Sequence, residues 1–155
     1  MLKKNRIGFV ALLLALAACS HNEVFFNYQS VNVDGWNKDS VCVFDVKIDD
    51  VTKAYNVYVN TRNVGEYPYQ NIWLFVNKTS SDSVQISDTI NFYLADEFGK
   101  WLGDGVGSVY NMPVLYQQNI RFPKAGTYRY EIQHGMRDSL LRGINDIGLK
   151  VEIAE

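Results

Sequence analysis

The chain has 155 residues, of which 47% are hydrophobic and 14% aromatic, and its formal net charge is −2. This length is enough for one domain with its own core, and the composition excludes an intrinsically disordered chain. The acidic net charge argues against nucleic acid as a partner. The sequence contains no internal repeat and no low-complexity tract.

The amino terminus has the organisation of an export signal. Basic residues lie among the first six positions, and residues 7–18 are an unbroken run of apolar and small residues. This run is shorter than the roughly 20 residues that span a bilayer. It ends in Leu16-Ala17-Ala18-Cys19, which resembles the lipobox of bacterial lipoproteins. We predict a signal peptide at 1–18 and lipidation of Cys19, with an ordinary secretory signal as the alternative.

Lipidation of Cys19 has two consequences. Several acyl chains on one cysteine make a durable anchor, because each buried methylene contributes about 0.8 kcal/mol. The second cysteine, Cys42, is left without an internal disulfide partner. Cys42 lies on the apolar side of a predicted strand, so we expect a buried thiol, with a reactive or intermolecular thiol as the alternative.

Residues 19–40 are interpreted as the lipidated start and a short tether, and 41–155 as the domain. A first strand is indicated at 24–28, and Trp36 is expected at the domain edge. From Val41 onwards the hydrophobic residues recur with period two. This alternation at 42–48 and again at 55–62 predicts an antiparallel hairpin.

The later segments continue the strand pattern. Residues 72–76 are apolar on both sides, which predicts a central strand covered on both faces. Residues 84–94 form a strand or strand pair, and 113–119 fit either one helical turn or an edge strand. Two further alternating runs end the chain, at 128–132 and 147–153. Many short strands with almost no helical periodicity indicate an all-β fold, an antiparallel β-sandwich of jelly-roll or immunoglobulin-like type.

A glycine-rich loop follows the strand at 84–94. A structural bend that buries its tryptophan is one interpretation, and a surface loop that docks a partner is another. A phosphate cradle is disfavoured, because the lysine is misplaced and no helical pattern follows. The candidate interaction residues of this loop are Gly99, Lys100, Trp101, Leu102, Gly103, Gly105 and Gly107.

Several segments together resemble the gliding-motility lipoprotein family of Bacteroidota called GldH, over nearly the whole mature chain. The most specific is Gly-Lys-Trp-Leu-Gly, and the others include Asn-Ile-Trp-Leu-Phe-Val and Gly-Ile-Asn-Asp-Ile-Gly-Leu; they occupy 99–103, 71–76 and 143–149. The resemblance implies a cell-envelope lipoprotein associated with gliding machinery, although the family also occurs in bacteria that do not glide. It supplies no catalytic residue.

From these features we predict a non-enzymatic structural or interaction component, anchored through its lipid and contacting other envelope or gliding-machinery proteins. Ser20 after the lipid cysteine suggests the outer membrane, by analogy with other lipoproteins. The lack of an acidic run after Cys19 favours the periplasmic face.

The alternative function is a glycan-binding β-sandwich. Aromatic rings on an exposed face would stack on sugars, and they would have to be coplanar and solvent-exposed. The candidate rings are Trp36, Tyr67, Tyr69 and Trp101.

No cofactor, catalytic residue or metal site is predicted. His21 and His134 lack neighbours at metal-ligand spacing, and the carboxylates at 45–50 lack a glycine-pivoted calcium loop. No nucleophile elbow is present.

Four Asp-Ser/Thr-aliphatic triplets resemble an acceptor motif for O-glycosylation in this phylum, although each also fits an ordinary turn before a strand. Their acceptors are Ser40, Ser83, Thr89 and Ser139.

Overall fold

The computed structural model describes residues 22–32 and 34–155. These residues form strands and no helix, so the predicted all-β class is confirmed. None of their segments is a helix able to span a membrane. The strands are β1 (Glu23–Ser30), β2 (Trp36–Asn37), β3 (Cys42–Ile48), β4 (Tyr55–Val64), β5 (Asn71–Thr79), β6 (Gln85–Tyr93), β7 (Asp104–Val106), β8 (Val109–Ile120), β9 (Gly126–His134), β10 (Leu140–Leu141) and β11 (Ile144–Ile153).

The strands build two antiparallel sheets that pack as a sandwich. The larger sheet has the order β1-β11-β4-β8-β7, and the smaller has the order β3-β9-β5-β6. The short strands β2 and β10 pair with each other. Side chains from the inner faces of both sheets form the core, as period-two alternation requires.

Strand β3 shows how the alternation produces this core. Cys42, Phe44, Val46 and Ile48 are buried, whereas Asp45 and its outward neighbours are not. The predicted burial of Cys42 is confirmed, and burial raises the pKa of its thiol to about 11. A thiol in this state is a packing group, because the reactive thiolate is suppressed.

The predicted hairpin between the second and third strands is wrong. β3 pairs with β9 in the smaller sheet, whereas β4 pairs with β11 and β8 in the larger sheet. Both strands alternate as predicted, but alternation only states that one face is buried. It does not state which strand lies alongside, so the segment at 49–54 crosses between the sheets.

The folded region begins earlier than Val41. β1 pairs with the last strand, β11, from Glu23 opposite Glu152 to Ser30 opposite Asp146. The first strand indicated at 24–28 is therefore confirmed, and it lies inside the range 19–40 that was interpreted as the lipidated start and tether. Trp36, expected at the domain edge, is 1% exposed.

Strand β5 is covered on one face only, which corrects the prediction for 72–76. It lies between β9 and β6, and Ile72, Leu74 and Val76 are buried in the core. Trp73 and Phe75 point away from the core and are each 43% exposed. The ambiguous segment 113–119 is part of strand β8, so the helical alternative is wrong.

Candidate interaction site

Four exposed rings lie near one another on the smaller sheet and its edge. Trp73 and Phe75 stand two residues apart on the outer face of β5, Tyr93 ends β6, and Tyr69 precedes β5. Asn71 pairs with Tyr93 in the register of β5 and β6, which places that ring next to the start of β5. We call these four residues the aromatic surface. Tyr93 is the most open, at 61% exposure.

A groove of about 360 Å³ runs beside Trp73, between Tyr69 and Met136. The Trp73 backbone N–H donates to the Met136 sulfur at 3.3 Å. The Tyr69 hydroxyl donates to the Asp138 carboxylate at 2.6 Å, and this bond raises the pKa of Tyr69. These contacts tie the rim of the groove to the segment that follows β9.

Gly135 determines how closely this segment approaches Phe75. A Cβ atom built at Gly135 would lie 3.0 Å from the Phe75 ring, closer than side-chain carbons normally come. The missing side chain therefore lets the tip of the Phe75 ring approach the backbone of Gly135 closely, while Phe75 remains 43% exposed.

Asp96 stabilises the turn that leads into the glycine-rich loop. Its carboxylate accepts hydrogen bonds from the backbone N–H groups of Phe98 and Lys100, at 2.9 and 2.8 Å. Gly99 between them has a φ of +80°, a conformation that favours glycine. Ala95 and Trp101 then form an isolated antiparallel bridge.

Trp101 packs inward, as the structural interpretation of the loop predicted. It is partly buried against the core, with ring centroids 6.4 Å from Tyr67 and 5.7 Å from Tyr110. Gly103 lies against the backbone of Asn111, where a Cβ atom would come within 2.7 Å of the carbonyl oxygen. Gly103 thus allows a close approach of two backbone segments just before β7 pairs with β8.

Other side chains of the same region face solvent. Phe98 is 86% exposed and Val106 is 81% exposed, and Leu102 lies between them in sequence with half of its surface open. Docking of a partner by this loop remains a prediction, and these apolar side chains are the ones that would make the contact. Lys100, Gly105 and Gly107 are also exposed.

Sequence reasoning missed Trp73, Phe75, Tyr93 and Phe98. The missed signal lies in the strands on either side of β5. Their residues on the same outer face as the two β5 rings are polar: Thr89 and Asn91 on β6, and Gln133 on β9. A face whose flanking strands carry polar side chains faces water. The two rings of β5 therefore had to be exposed.

The predicted glycan platform does not form from the residues proposed for it. Trp36 is 1% and Tyr67 is 4% exposed. The Trp36 indole N–H donates to the Ser40 carbonyl at 3.0 Å, and the Tyr67 hydroxyl donates to the Asn71 carbonyl at 2.9 Å. Both rings are thus structural, and of the four only Tyr69 is exposed, at 38%.

The four candidate O-glycosylation acceptors are all exposed. Ser40 and Ser139 flank the short β2 and β10 strands, Ser83 lies in the turn between β5 and β6, and Thr89 is in the middle of β6. Modification of any of them remains a prediction. Cys19 and His21 lie outside the described residues, so lipidation also remains a prediction.

The groups considered as metal ligands or catalysts have other partners. Asp45 pairs with Arg129 at 2.8 Å, and this hydrogen bond lowers the pKa of Asp45. Asp50 accepts from the Thr52 hydroxyl and backbone N–H. Within the part of the chain that the structure describes, no three His, Cys, Asp or Glu side chains are grouped as a metal site would need.

Buried His134 gives the protein an expected pH dependence. Its Nε2 lies 3.1 Å from the Trp36 carbonyl oxygen, and burial lowers its pKa below the ordinary value. The unfolded chain therefore takes up this proton first, so the free energy of unfolding should fall as the pH drops below about 6.5. One such group changes the free energy of unfolding by at most about 1.4 kcal/mol per pH unit.

Urea unfolding at pH 7.5 and pH 5.5 measures this contribution. His134→Gln lacks the titration, so it should lose less stability between the two pH values than the wild type. An equal loss in both proteins would assign the effect to other groups.

The model of the GldH lipoprotein family matches residues 23–151. A gliding motility lipoprotein GldH of Flavobacterium johnsoniae is 32% identical over 158 residues, covering 97% of each chain. A GldH homolog of Christiangramia forsetii is 32% identical over 151 residues, covering 93% of this chain and 92% of the relative.

Among solved structures, a family GH115 4-O-methyl-α-glucuronidase with specificity for decorated arabinogalactans shows a weak likeness. Its TM-score is 0.46 at 9% identity, and the match covers 88% of this chain but 18% of that one. This likeness is too weak to assign a function. The family match, in contrast, extends from β1 into the last strand, and the chain belongs to the GldH lipoprotein family.

Proposed function

We propose that this lipoprotein is a non-enzymatic interaction component of the gliding or cell-envelope machinery. Its lipidated Cys19 holds it at the periplasmic face of the outer membrane, and the aromatic surface contacts a neighbouring envelope protein. The observation that supports this most directly is the outward orientation of Trp73 and Phe75 on β5, in the interior of a sheet.

Exposed rings on a rigid strand are suited to protein recognition. Trp and Tyr are enriched among residues that dominate binding energy at interfaces, because they bury a large area with few rotatable bonds. Exposed apolar side chains that cluster on a surface mark interaction sites. Here β9 and β6 hold β5 on both sides, so little conformational entropy is lost when the rings are covered.

The names of the relatives support a lipid anchor and a place in the gliding machinery. Both are called gliding motility lipoproteins, over almost the whole length of this chain. The lipobox, Ser20 and the lack of an acidic run after Cys19 support the outer membrane and its periplasmic face.

A photo-crosslinking amino acid at Phe75 tests the interaction in living cells. Phe26, on β1 of the other sheet, is a matched control because it is 44% exposed against 43% for Phe75. We expect an ultraviolet-dependent adduct with an envelope protein from position 75 and none from position 26. The adduct's partner is identified by mass spectrometry.

Equal adducts from both positions would indicate nonspecific contact. The absence of any adduct from position 75, repeated at Trp73, would contradict the proposal.

Glycan binding is a second candidate, now on a different pair of rings. Trp73 and Phe75 are flanked by the polar side chains of Thr89, Asn91 and Gln133, which could bond sugar hydroxyls while the rings stack. The same experiment separates the two candidates. An adduct that stains for carbohydrate and yields no foreign peptide would favour the glycan.

A further inference from the structure

Strand β6 has one hydrogen-bonded edge and one open edge. No strand within 22–32 or 34–155 pairs with β6 except β5. The Leu94 N–H donates to the Gln70 carbonyl at 2.6 Å, and these residues continue the register in which Phe92 pairs with Ile72. Because hydrogen-bonded residues alternate along an antiparallel strand, even-numbered residues of β6 bond to β5.

The odd-numbered residues of β6 therefore turn their backbone N–H and C=O groups toward the open edge. Their side chains lie on the outer face, beside Trp73 and Phe75. The residues with free backbone groups are Gln85, Ser87, Thr89, Asn91 and Tyr93.

The opposite side of the sandwich is closed. The Gln29 side chain of β1 accepts from the Val43 backbone N–H at 2.9 Å and donates to the Val43 carbonyl, so it occupies the edge of β3. β1 itself carries a register shift between Glu23 and Phe25. Such devices discourage the pairing of edge strands between molecules.

The edge of β8 is also interrupted. β7 covers its first residues, from Val109 to Asn111. Pro113 follows and has no N–H to donate, and the pairing with β4 shifts twice near Gln117. A second strand could not pair along this edge without a break.

Strand β6 lacks the side-chain cover, the proline and the register shift found at the other edges. Its nine residues include no proline, glycine, lysine or arginine, and its pairing with β5 has no register shift. An inward-pointing charge also protects an edge strand. The one such charge on β6, Asp88, accepts a hydrogen bond from Tyr116 of β8 and so has a partner within its own copy. On the same inner side Ile86 is 45% exposed and lines a groove together with Arg121 and Phe122.

We propose that β6 pairs antiparallel with β6 of a second copy of this chain, joining two four-stranded sheets into one. This inference rests on the proposed function and names one partner, which binds at the strand edge beside the aromatic surface. Only odd-numbered residues have backbone groups at the open edge, so each hydrogen-bonded pair must join two of them. If the two strands 85–93 overlap along their full length, Thr89 lies opposite Thr89 of the second copy. Gln85 then lies opposite Tyr93, and Ser87 opposite Asn91.

The side chains are compatible with this two-fold arrangement. Opposed threonines are a favourable cross-strand pair. Asp88 comes opposite Ile90, so no like charges lie directly opposite each other. Ile86 comes opposite Phe92, so an apolar side chain of the second copy covers it. The pairing satisfies ten backbone groups in each copy, which are the N–H and C=O of the five odd-numbered residues.

Disulfide trapping in the full-length, membrane-inserted protein tests the register. Opposed residues in a bonded pair have Cα atoms about 5.5 Å apart, within disulfide range. Thr89→Cys should therefore form a disulfide-linked dimer under mild oxidation. Ser87→Cys is the matched control on the same strand and face. In the proposed register Ser87 of one copy lies four residues along the strand from Ser87 of the other, so their Cα atoms would be about 14 Å apart. We expect at least a tenfold difference in dimer yield.

The protein without an added cysteine gives the baseline for Cys19 and Cys42. Equal yields from Thr89→Cys and Ser87→Cys would overturn the proposal. If position 75 still crosslinks a different envelope protein in that case, the proposed function stands and only the identity of the partner is wrong.

A second variant tests the pairing without a covalent bond. Thr89→Pro removes an N–H that faces the open edge and is not bonded to β5, so the fold should tolerate it. Native mass spectrometry of the detergent-extracted protein should show dimer for the wild type and monomer for Thr89→Pro, with unchanged circular dichroism. A dimer that persists in Thr89→Pro would contradict pairing through β6.

Discussion

Gly143→Ala is expected to lower the free energy of unfolding by roughly 2–6 kcal/mol. Gly143 has a φ of +85°, where an L side chain is strained by about 1–3 kcal/mol. A Cβ atom there would also lie 2.6 Å from the Tyr67 Cα and 2.8 Å from its backbone N. Forcing atoms into a packed site costs about 1–3 kcal/mol more. Because the two nearest atoms belong to the backbone of Tyr67, the clash cannot be relieved by rotating a flexible side chain.

Urea or thermal unfolding of the purified protein measures this effect. Gly65→Ala is the matched control, because no atom lies within 4 Å of a Cβ atom at Gly65. This control should change stability by less than about 1 kcal/mol. Equal stability of the Gly143→Ala variant and the wild type would show that the chain near Tyr67 can shift freely.

Cys19→Ser is expected to abolish incorporation of labelled palmitate and to remove the protein from the outer-membrane fraction. Only a thiol can carry the thioether-linked lipid, and several acyl chains provide nearly all of the membrane affinity. The described sandwich begins after this position, at Glu23, so its melting temperature should not change. Metabolic labelling followed by membrane fractionation measures both effects.

Ser20→Ala provides the control for this experiment, since it leaves the acylated cysteine in place and should retain the label. Label still present on Cys19→Ser would refute the lipobox assignment and would favour another mode of attachment.

Period-two alternation predicted most strands because each strand of a sandwich buries one face. The four alternating buried residues of β3 were visible in the sequence, and so was the alternation of β4. The pairing of these strands was not visible, because alternation specifies a face and leaves the neighbour open. β3 and β4 are consecutive in sequence yet belong to different sheets.

The candidate site was predicted only in part, for a related reason. Glycine spacing around Trp101 correctly indicated a bend, and that ring packs inward. The exposed rings at 73 and 75 were hidden inside a continuous apolar run, which is also the pattern of a strand buried on both faces. Only the polar outer residues of β6 and β9, once paired with β5, distinguish the two cases.

The pairing of β1 with β11 determines how the molecule would carry mechanical load. Force entering through the amino terminus reaches β1 first, and at most about 14 Å of chain separates Cys19 from Glu23. Ladder hydrogen bonds run perpendicular to the strands. A pull along β1 would therefore shear the pairs from Glu23–Glu152 to Ser30–Asp146 together, whereas a sideways pull would unzip them one by one. In the first direction the sandwich would act as a shear clamp next to the bilayer.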